Sequence, residues 1–212
     1  MKMKNLLLAF AAIMLSSTSF SQVSYGIKAG VNMNKTNYED FPVDFKQKKY
    51  LSYFITGYAE FGLGNNFALQ PGMSLQGKGD KYTKDGETAA TWDVMSIEVP
   101  VNLMYYIPTG TLGSVFLGAG PYIGFNIAGK SKIETIGAPH FGAVGEQDIT
   151  FSGDDRVQNR IDAGANFLLG YKLTKGFVIN TEYGLGIADL NPREQNNHLH
   201  NSTIRFGIGY QF

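Results

Sequence analysis

The sequence contains no cysteine in 212 residues. That excludes disulfides, thiolate zinc sites, c-type haem attachment and a lipid anchor on a Cys following a leader. Net charge is also lacking: 18 basic residues balance 18 acidic ones. There is therefore no basic footprint for nucleic acid and no polyacidic tail. Histidine is scarce, with three residues, and tryptophan occurs once. Beyond residue 21 no apolar run approaches the roughly 20 residues that a transmembrane helix needs. A P-loop, a zinc motif and a placeable carboxylate pair are all missing. Nothing in this inventory points to a cofactor, a metal or a catalytic set, and no enzymatic activity is expected.

What is present begins with the N-terminus. Lys2 and Lys4 precede the apolar stretch Leu6–Leu15, and Ser19-Phe20-Ser21 offers small residues at the −3 and −1 positions. This reads as a cleavable secretory signal over residues 1–21, leaving a single domain over 22–212. Loss of Lys2 and Lys4 takes the balance from zero to −2.

From Val23 onward the hydrophobic period is two, the period of a strand. Eight segments stand out, at about 23–33, 51–62, 67–78, 94–107, 114–128, 159–171, 176–188 and 202–212. Each reaches the roughly 9–11 residues that carry a tilted strand across a bilayer. One face of each is apolar: Tyr25, Ile27, Ala29, Val31 and Met33 in the first, Ile204, Phe206, Ile208, Tyr210 and Phe212 in the last. The charges Lys28, Glu60, Lys78, Glu98, Arg160, Asp162, Glu182 and Arg205 all fall on the opposite face. A basic residue facing lipid at mid-depth costs roughly 2–4 kcal/mol, so a lipid-facing wall must exclude them. The charged face is also rich in glycine (Gly26, Gly118 and Gly170 among others), as a crowded narrow lumen requires. The pattern predicts an all-β protein, an eight-stranded antiparallel up-and-down transmembrane β-barrel. Phe54, Tyr58, Met104 and Tyr122 are expected inside it.

The connections alternate short and long. Short turns fall at about 63–66, 108–113 and 172–175; long polar links fall at about 34–50, 79–93, 129–158 and 189–201. Barrels in outer membranes have short periplasmic turns and longer outer loops. The rhythm thus predicts an integral outer-membrane location with both termini periplasmic. Tyr25, Phe61, Phe67, Tyr105, Tyr106, Phe116, Tyr171, Phe177, Tyr210 and Phe212 gather toward the short turns as an expected aromatic girdle. Tyr50, Tyr53, Tyr82 and Trp92 suggest a second one at the other end. Pro71, Pro100 and Pro121 each remove a ladder hydrogen bond, so bulges or local breaks are expected beside them.

The strings Tyr25-Gly26-Ile27-Lys28-Ala29-Gly30-Val31-Asn32, Leu69-Gln70-Pro71-Gly72, Ile97-Glu98-Val99-Pro100-Val101, Gly118-Ala119-Gly120-Pro121-Tyr122-Ile123-Gly124 and Tyr183-Gly184-Leu185-Gly186 occur in this order. Together with the closing Arg205–Phe212, they resemble PorT-like outer-membrane barrels over essentially the whole chain. The resemblance implies an eight-stranded Gram-negative barrel of the OmpA/OmpX type. It also implies possible partners in an envelope or protein-secretion complex, although no secretion-specific motif is visible. The terminal Phe212, with alternate aromatics before it, resembles the signal read by barrel-assembly machinery; the same residues also form the lipid face of the last strand. Outer-membrane lipids are the other expected partners, and nucleic acid is not one.

Several constellations admit a chemical reading. The inward bases Lys28, Lys78, Arg205 and Arg160 face the acids Glu60, Glu98, Asp162 and Glu182. They form either a polar path for a narrow pore or a paired plug. Eight strands leave an interior about filled by side chains, which favours the plug. His198 and His200 could share a metal, with Asp189 or Glu194 as a third ligand, or be solvated loop residues. His200 and Ser202 have the His-x-Ser spacing of lipid A deacylase barrels. A nucleophilic Ser needs a base and an orienting acid, and no Asp or Glu lies between Ser202 and Phe212. Gly153-Asp154-Asp155 lacks the spaced acids of a calcium loop and reads as a turn. The link of about 30 residues carrying Pro139, His140 and Phe141 is longer than a connector needs. The expected role is therefore that of a barrel without a catalytic site, acting through outer loops or partners. The alternatives are a lipid-modifying barrel using His200 and Ser202, or a narrow pore.

Overall fold

The computed structural model describes residues 23–38, 45–135, 144–153, 156–191 and 199–212. The expected signal segment and the residues Pro139, His140, Phe141, Asp154, Asp155, Glu194 and His198 lie outside them.

Among the described residues there are ten strands: β1 (Val23–Tyr38), β2 (Lys46–Lys48), β3 (Tyr50–Gly64), β4 (Phe67–Lys84), β5 (Glu87–Pro108), β6 (Gly113–Ile133), β7 (Gly145–Asp148), β8 (Ile161–Leu173), β9 (Phe177–Gly186) and β10 (Leu199–Gln211). Eight of them pair antiparallel in the ring β1-β3-β4-β5-β6-β8-β9-β10. The first and last strands close it, with Gly26 opposite Gln211 and Gly30 opposite Gly207. The eight-strand expectation holds. Closure matters because in lipid every backbone N–H and C=O must find its partner within the protein.

The strands run further than the alternation alone suggests. The span 79–93, read as a long polar link, is instead the continuation of β4 into β5. Asp85 (φ 52°) and Gly86 (φ 92°) turn the chain, as the positive φ angles of a two-residue hairpin demand. Its charges belong to strands that have passed the lipid zone, where polar residues cost nothing on an outward face. In the other long links, β1 reaches Tyr38, β6 reaches Ile133 and β10 starts at Leu199, while β2 and β7 add short strands beside β4 and β6. The result is a collar, an antiparallel sheet in the order β2-β4-β5-β6-β7 standing on one end of the barrel. The opposite end has the tight turns at 63–66, 109–112 and 174–176.

The prolines interrupt the ladder without changing its register. Pairing between β4 and β5 lapses from Pro71↔Val101 to Ser74↔Glu98, and between β5 and β6 from Pro100↔Tyr122 to Leu103↔Ala119. The breaks are local and contiguous on three neighbouring strands. The β6–β8 ladder continues unbroken past Pro121. True register shifts sit elsewhere, at Gly62/Gly64, Tyr82/Thr83 and Met95/Ser96.

The outer wall carries Ile27, Val31, Ile55, Leu117, Ile123, Phe167, Ile179, Phe206 and Ile208, all exposed. The predicted inward residues Phe54, Tyr58, Met104 and Tyr122 are buried. At the short-turn end Tyr25, Phe67, Tyr105, Phe177, Tyr210 and Phe212 stand on the wall as expected. Phe67 packs tilted against Tyr105 with ring centroids 4.8 Å apart, and Phe177 meets Tyr210 edge to face at 5.2 Å. Tyr106 and Phe116 do not belong to that girdle. They alternate with Tyr105 and Leu117, so they point inward, and Phe116 is buried in a cluster with Ala68, Met104, Leu168 and Val178. The second girdle is also corrected. Tyr53 is exposed, but Tyr82 and Trp92 are buried on the inner face of the collar, where Tyr82 packs on Ala90 and Ile133.

The inward aromatics explain two glycines. A Cβ on Gly26 would lie 2.3 Å from Tyr58 Cζ, and one on Gly170 would lie 2.3 Å from Phe116 Cζ. Gly26→Ala should therefore destabilise the barrel by about 1–3 kcal/mol, the range of core overpacking. The temperature at which folded protein loses its fast-migrating form on detergent gels should drop. Tyr58→Leu in the same chain should recover most of the loss; no recovery would show that the ring is not the obstacle.

Candidate functional site

The inward charges condense into one network. Lys78 Nζ lies 2.5 Å from Glu98 Oε1 and 2.6 Å from Asp162 Oδ2. Arg205 donates to Glu98 at 3.2 Å, to Asn166 at 3.1 Å and to Glu182. Lys28 Nζ stands 3.5 Å from Glu182. Three cations thus meet three carboxylates contributed by β1, β4, β5, β8, β9 and β10, and all six are buried. Buried ions are tolerated when paired and hydrogen-bonded, and here every charge has a partner of opposite sign.

Toward the short turns Glu60 gathers a second group. It accepts hydrogen bonds from Tyr106, from Gln70 at 3.0 Å and from Gln211 at 3.0 Å, and it pairs with Lys172 at 3.4 Å. Lys172 was assigned to a turn by its sequence, yet it continues the inward series Asn166, Leu168, Gly170; that parity was the available signal. Arg160 departs from expectation. It is exposed, just ahead of β8, because its position at the rim lets the guanidinium reach water. Between the two polar groups the lumen keeps a void of about 10 Å³ beside Tyr58, Met104 and Phe116, room for about one water. At the collar end the lumen is covered by Trp92, Val94, Ile149 and Phe151, with Trp92 Nε1 donating to Gln158 at 3.2 Å. Among the described residues the lumen is filled by side chains at each of these levels.

The β3–β4 wall has a distinctive seam. Its ladder stops at Phe54↔Gln76, although both strands continue. Beyond that point the Gly77 carbonyl accepts from Ser52 Oγ at 2.5 Å and Asn32 Nδ2 at 2.9 Å. Side chains there replace the missing backbone bonds. On the collar, Lys130 pairs with Glu146 at 2.6 Å, and this hydrogen bond holds the Glu146 carboxyl below the usual carboxylate range.

His200 and Ser202 both lie on β10, two residues apart and on the face of the exposed Ile204. His200 Nδ1 is 3.3 Å from the Ala188 carbonyl oxygen. Among the described residues no group of three or more His, Asp or Glu could hold a metal ion; Asp189 binds the Asn191 amide at 2.9 Å.

The closed ring with an apolar exterior agrees with the comparison to known families. The profile of the outer membrane protein beta-barrel domain matches residues 16–191. The chain belongs to that family. As a member it is an integral outer-membrane protein, and its eight-stranded ring is the membrane-spanning unit. No curated protein matches the sequence. Among solved structures it is similar to Ail, the attachment invasion locus protein of Yersinia pestis, at 13% identity over 89% of this chain and 98% of that one, with a TM-score of 0.46. It is also similar to Neisserial surface protein A, at 12% identity over 90% and 99% of the two chains and a TM-score of 0.47. OprG of Pseudomonas aeruginosa gives 11% identity over 91% and 97%, with a TM-score of 0.42.

Removing one member of the network leaves its partners charged and buried. Glu182→Leu strands Lys28 and leaves Arg205 with Glu98 as its carboxylate partner, and the expected loss is about 3–5 kcal/mol, read as a lowered urea midpoint of the purified barrel. The exposed pair should behave differently: Glu146→Gln should change the midpoint by less than about 1 kcal/mol.

Proposed function

We propose that this protein is a sealed, non-enzymatic outer-membrane barrel that works from its collar, which faces the cell exterior and engages a ligand or an envelope partner there. The observation that carries this reading is the contrast between the two ends and the middle. The lumen is filled by paired charges and an apolar cluster, while β5 runs for 22 residues where roughly 9–11 cross a bilayer. Strand that long builds a rigid platform beyond the lipid, and a plugged barrel has its accessible chemistry only there.

The finer kinship is with PorT-like barrels. It is supported by the ordered strings in the sequence and by the place of Glu98, within Ile97-Glu98-Val99-Pro100-Val101, at the meeting point of Lys78 and Arg205. A role as the barrel component of an envelope or secretion complex fits that kinship. Residues 1–21 serve as the cleaved signal, both termini lie in the periplasm, and the terminal strand ending in Phe212 is what the assembly machinery reads.

Three measurements test this reading. Purified protein in a planar bilayer should give no steady ion-selective openings; such openings would replace the plug by a pore. The absence of cysteine allows single-site labelling: Asp85→Cys, at the collar tip, should react with a membrane-impermeant maleimide on intact cells, and Lys175→Cys, in a short turn, only after lysis. The reverse pattern would turn the barrel over. Lipid A from cells with and without expression should have identical acylation, and a lost chain would establish a deacylase instead.

A further inference from the structure

Between the two polar groups of the lumen lies a level where one side chain has nothing to bond. Asn180 of β9 points inward and is 4% exposed. Neither its Nδ2 nor its Oδ1 has a hydrogen-bond partner among the described residues. The register shows why. Asn180 stands opposite Gly207 of β10 and Gly170 of β8, so neither neighbouring strand offers it a side chain. The rings that use this space are apolar. A Cβ on Gly207 would lie 2.8 Å from Phe54 Cζ and 2.9 Å from Asn180 Oδ1, and one on Gly170 would meet the Phe116 ring. Two residues along the strand Glu182 is engaged by Arg205 and Lys28, and two residues the other way Val178 belongs to the apolar cluster. The amide brings donors and an acceptor that carbon cannot satisfy, and burying such a group unbonded is costly.

The void of about 10 Å³ in the lumen lies against this same residue. Asn180 lines it together with Lys28, Tyr58 and Gln211. Its size is that of about one water, and a void with about two to four polar partners holds water where an apolar one stays dry. Lys28 adds donors to the site. Its ammonium has three N–H groups, and Glu182, at 3.5 Å, is its one carboxylate partner among the described residues. The Tyr58 hydroxyl reaches Gln211 Oε1 only at 3.5 Å, beyond the usual length of such a bond. Gln211 in turn donates to Glu60 at 3.0 Å.

We propose that the lumen binds one ordered water at this void, held by the Asn180 amide and the Lys28 ammonium and within reach of the Tyr58 hydroxyl. The chemistry of the site selects water. Lys28 already brings a full positive charge, which excludes a cation. Lys28, Lys78 and Arg205 are matched by Glu98, Asp162 and Glu182, which leaves no charge for an anion to neutralise, and a halide is larger than the space. Water alone both donates to Oδ1 and accepts from the ammonium. Bound there, it joins Lys28 on one side to Tyr58 and Gln211 on the other. The Lys28–Glu182–Arg205 network and the Glu60 group then form one hydrogen-bonded column past the apolar cluster. The site belongs to the lumen and is the same whichever end of the barrel faces the exterior.

A crystal structure of the purified full-length barrel tests this directly. Solvent density is expected within hydrogen-bond distance of the Asn180 amide and of Lys28 Nζ. An empty site, or an Asn180 amide bonded to another protein group, would overturn the proposal. So would an anomalous peak there after a bromide soak, which would mark a halide. Asn180→Leu gives a second reading, because the two side chains have the same branched shape and the same number of heavy atoms. The variant should lack the solvent peak, and its urea midpoint should fall, since Lys28 loses a partner along with the water. Trading an unbonded amide for hydrocarbon would instead remove a burial cost, so an unchanged or raised midpoint would count against the site. Planar-bilayer recording reads whether the lumen is closed and the density reads the water, so the two fail separately.

Discussion

Closing a narrow barrel in lipid imposes two demands at once. Every backbone group must be bonded within the ring, and the space enclosed by eight strands must be filled by what the strands themselves project inward. The pairing of β1 with β10 satisfies the first demand. The second is met by dividing the lumen into tiers: the Lys28–Glu182–Arg205–Glu98–Lys78–Asp162 network, then the apolar cluster around Met104 and Phe116, then the group centred on Glu60. Inward glycines follow from the same crowding, since large rings such as Tyr58 and Phe116 reach the facing backbone.

A filled lumen shifts the functional question to the two ends and the outside. The short-turn end has tight turns and an aromatic girdle, and little surface of its own. At the other end β4, β5 and β6 continue as strand and recruit β2 and β7. Six residues of β5, 87–92, stand beyond its first outward-facing charge, Asp93, roughly 20 Å of strand. Ordered sheet, rather than loop, presents this surface, with Tyr82, Ala90, Trp92 and Ile149 giving the collar a packed inner face. The region where wall becomes collar is also where the β3–β4 ladder ends, so the departure from regular pairing coincides with the change from lipid-facing wall to polar sheet.

The alternation of apolar and polar residues was enough to determine the strand count, the inward direction of Lys28, Lys78, Glu98, Asp162, Glu182 and Arg205, and the position of the short turns. A one-residue slip would put every charge into lipid, so such a sequence has one tolerable register. The same parity puts Tyr106, Phe116 and Lys172 inside, although all three lie close to the short turns. Tertiary structure alone decided which carboxylate meets which cation, because those partners come from strands far apart in the chain, 107 residues for Glu98 and Arg205 and more for Lys28 and Glu182. It also decided that 79–93 is a hairpin. Past the lipid boundary both strand faces can be polar, so periodicity no longer reports on structure there.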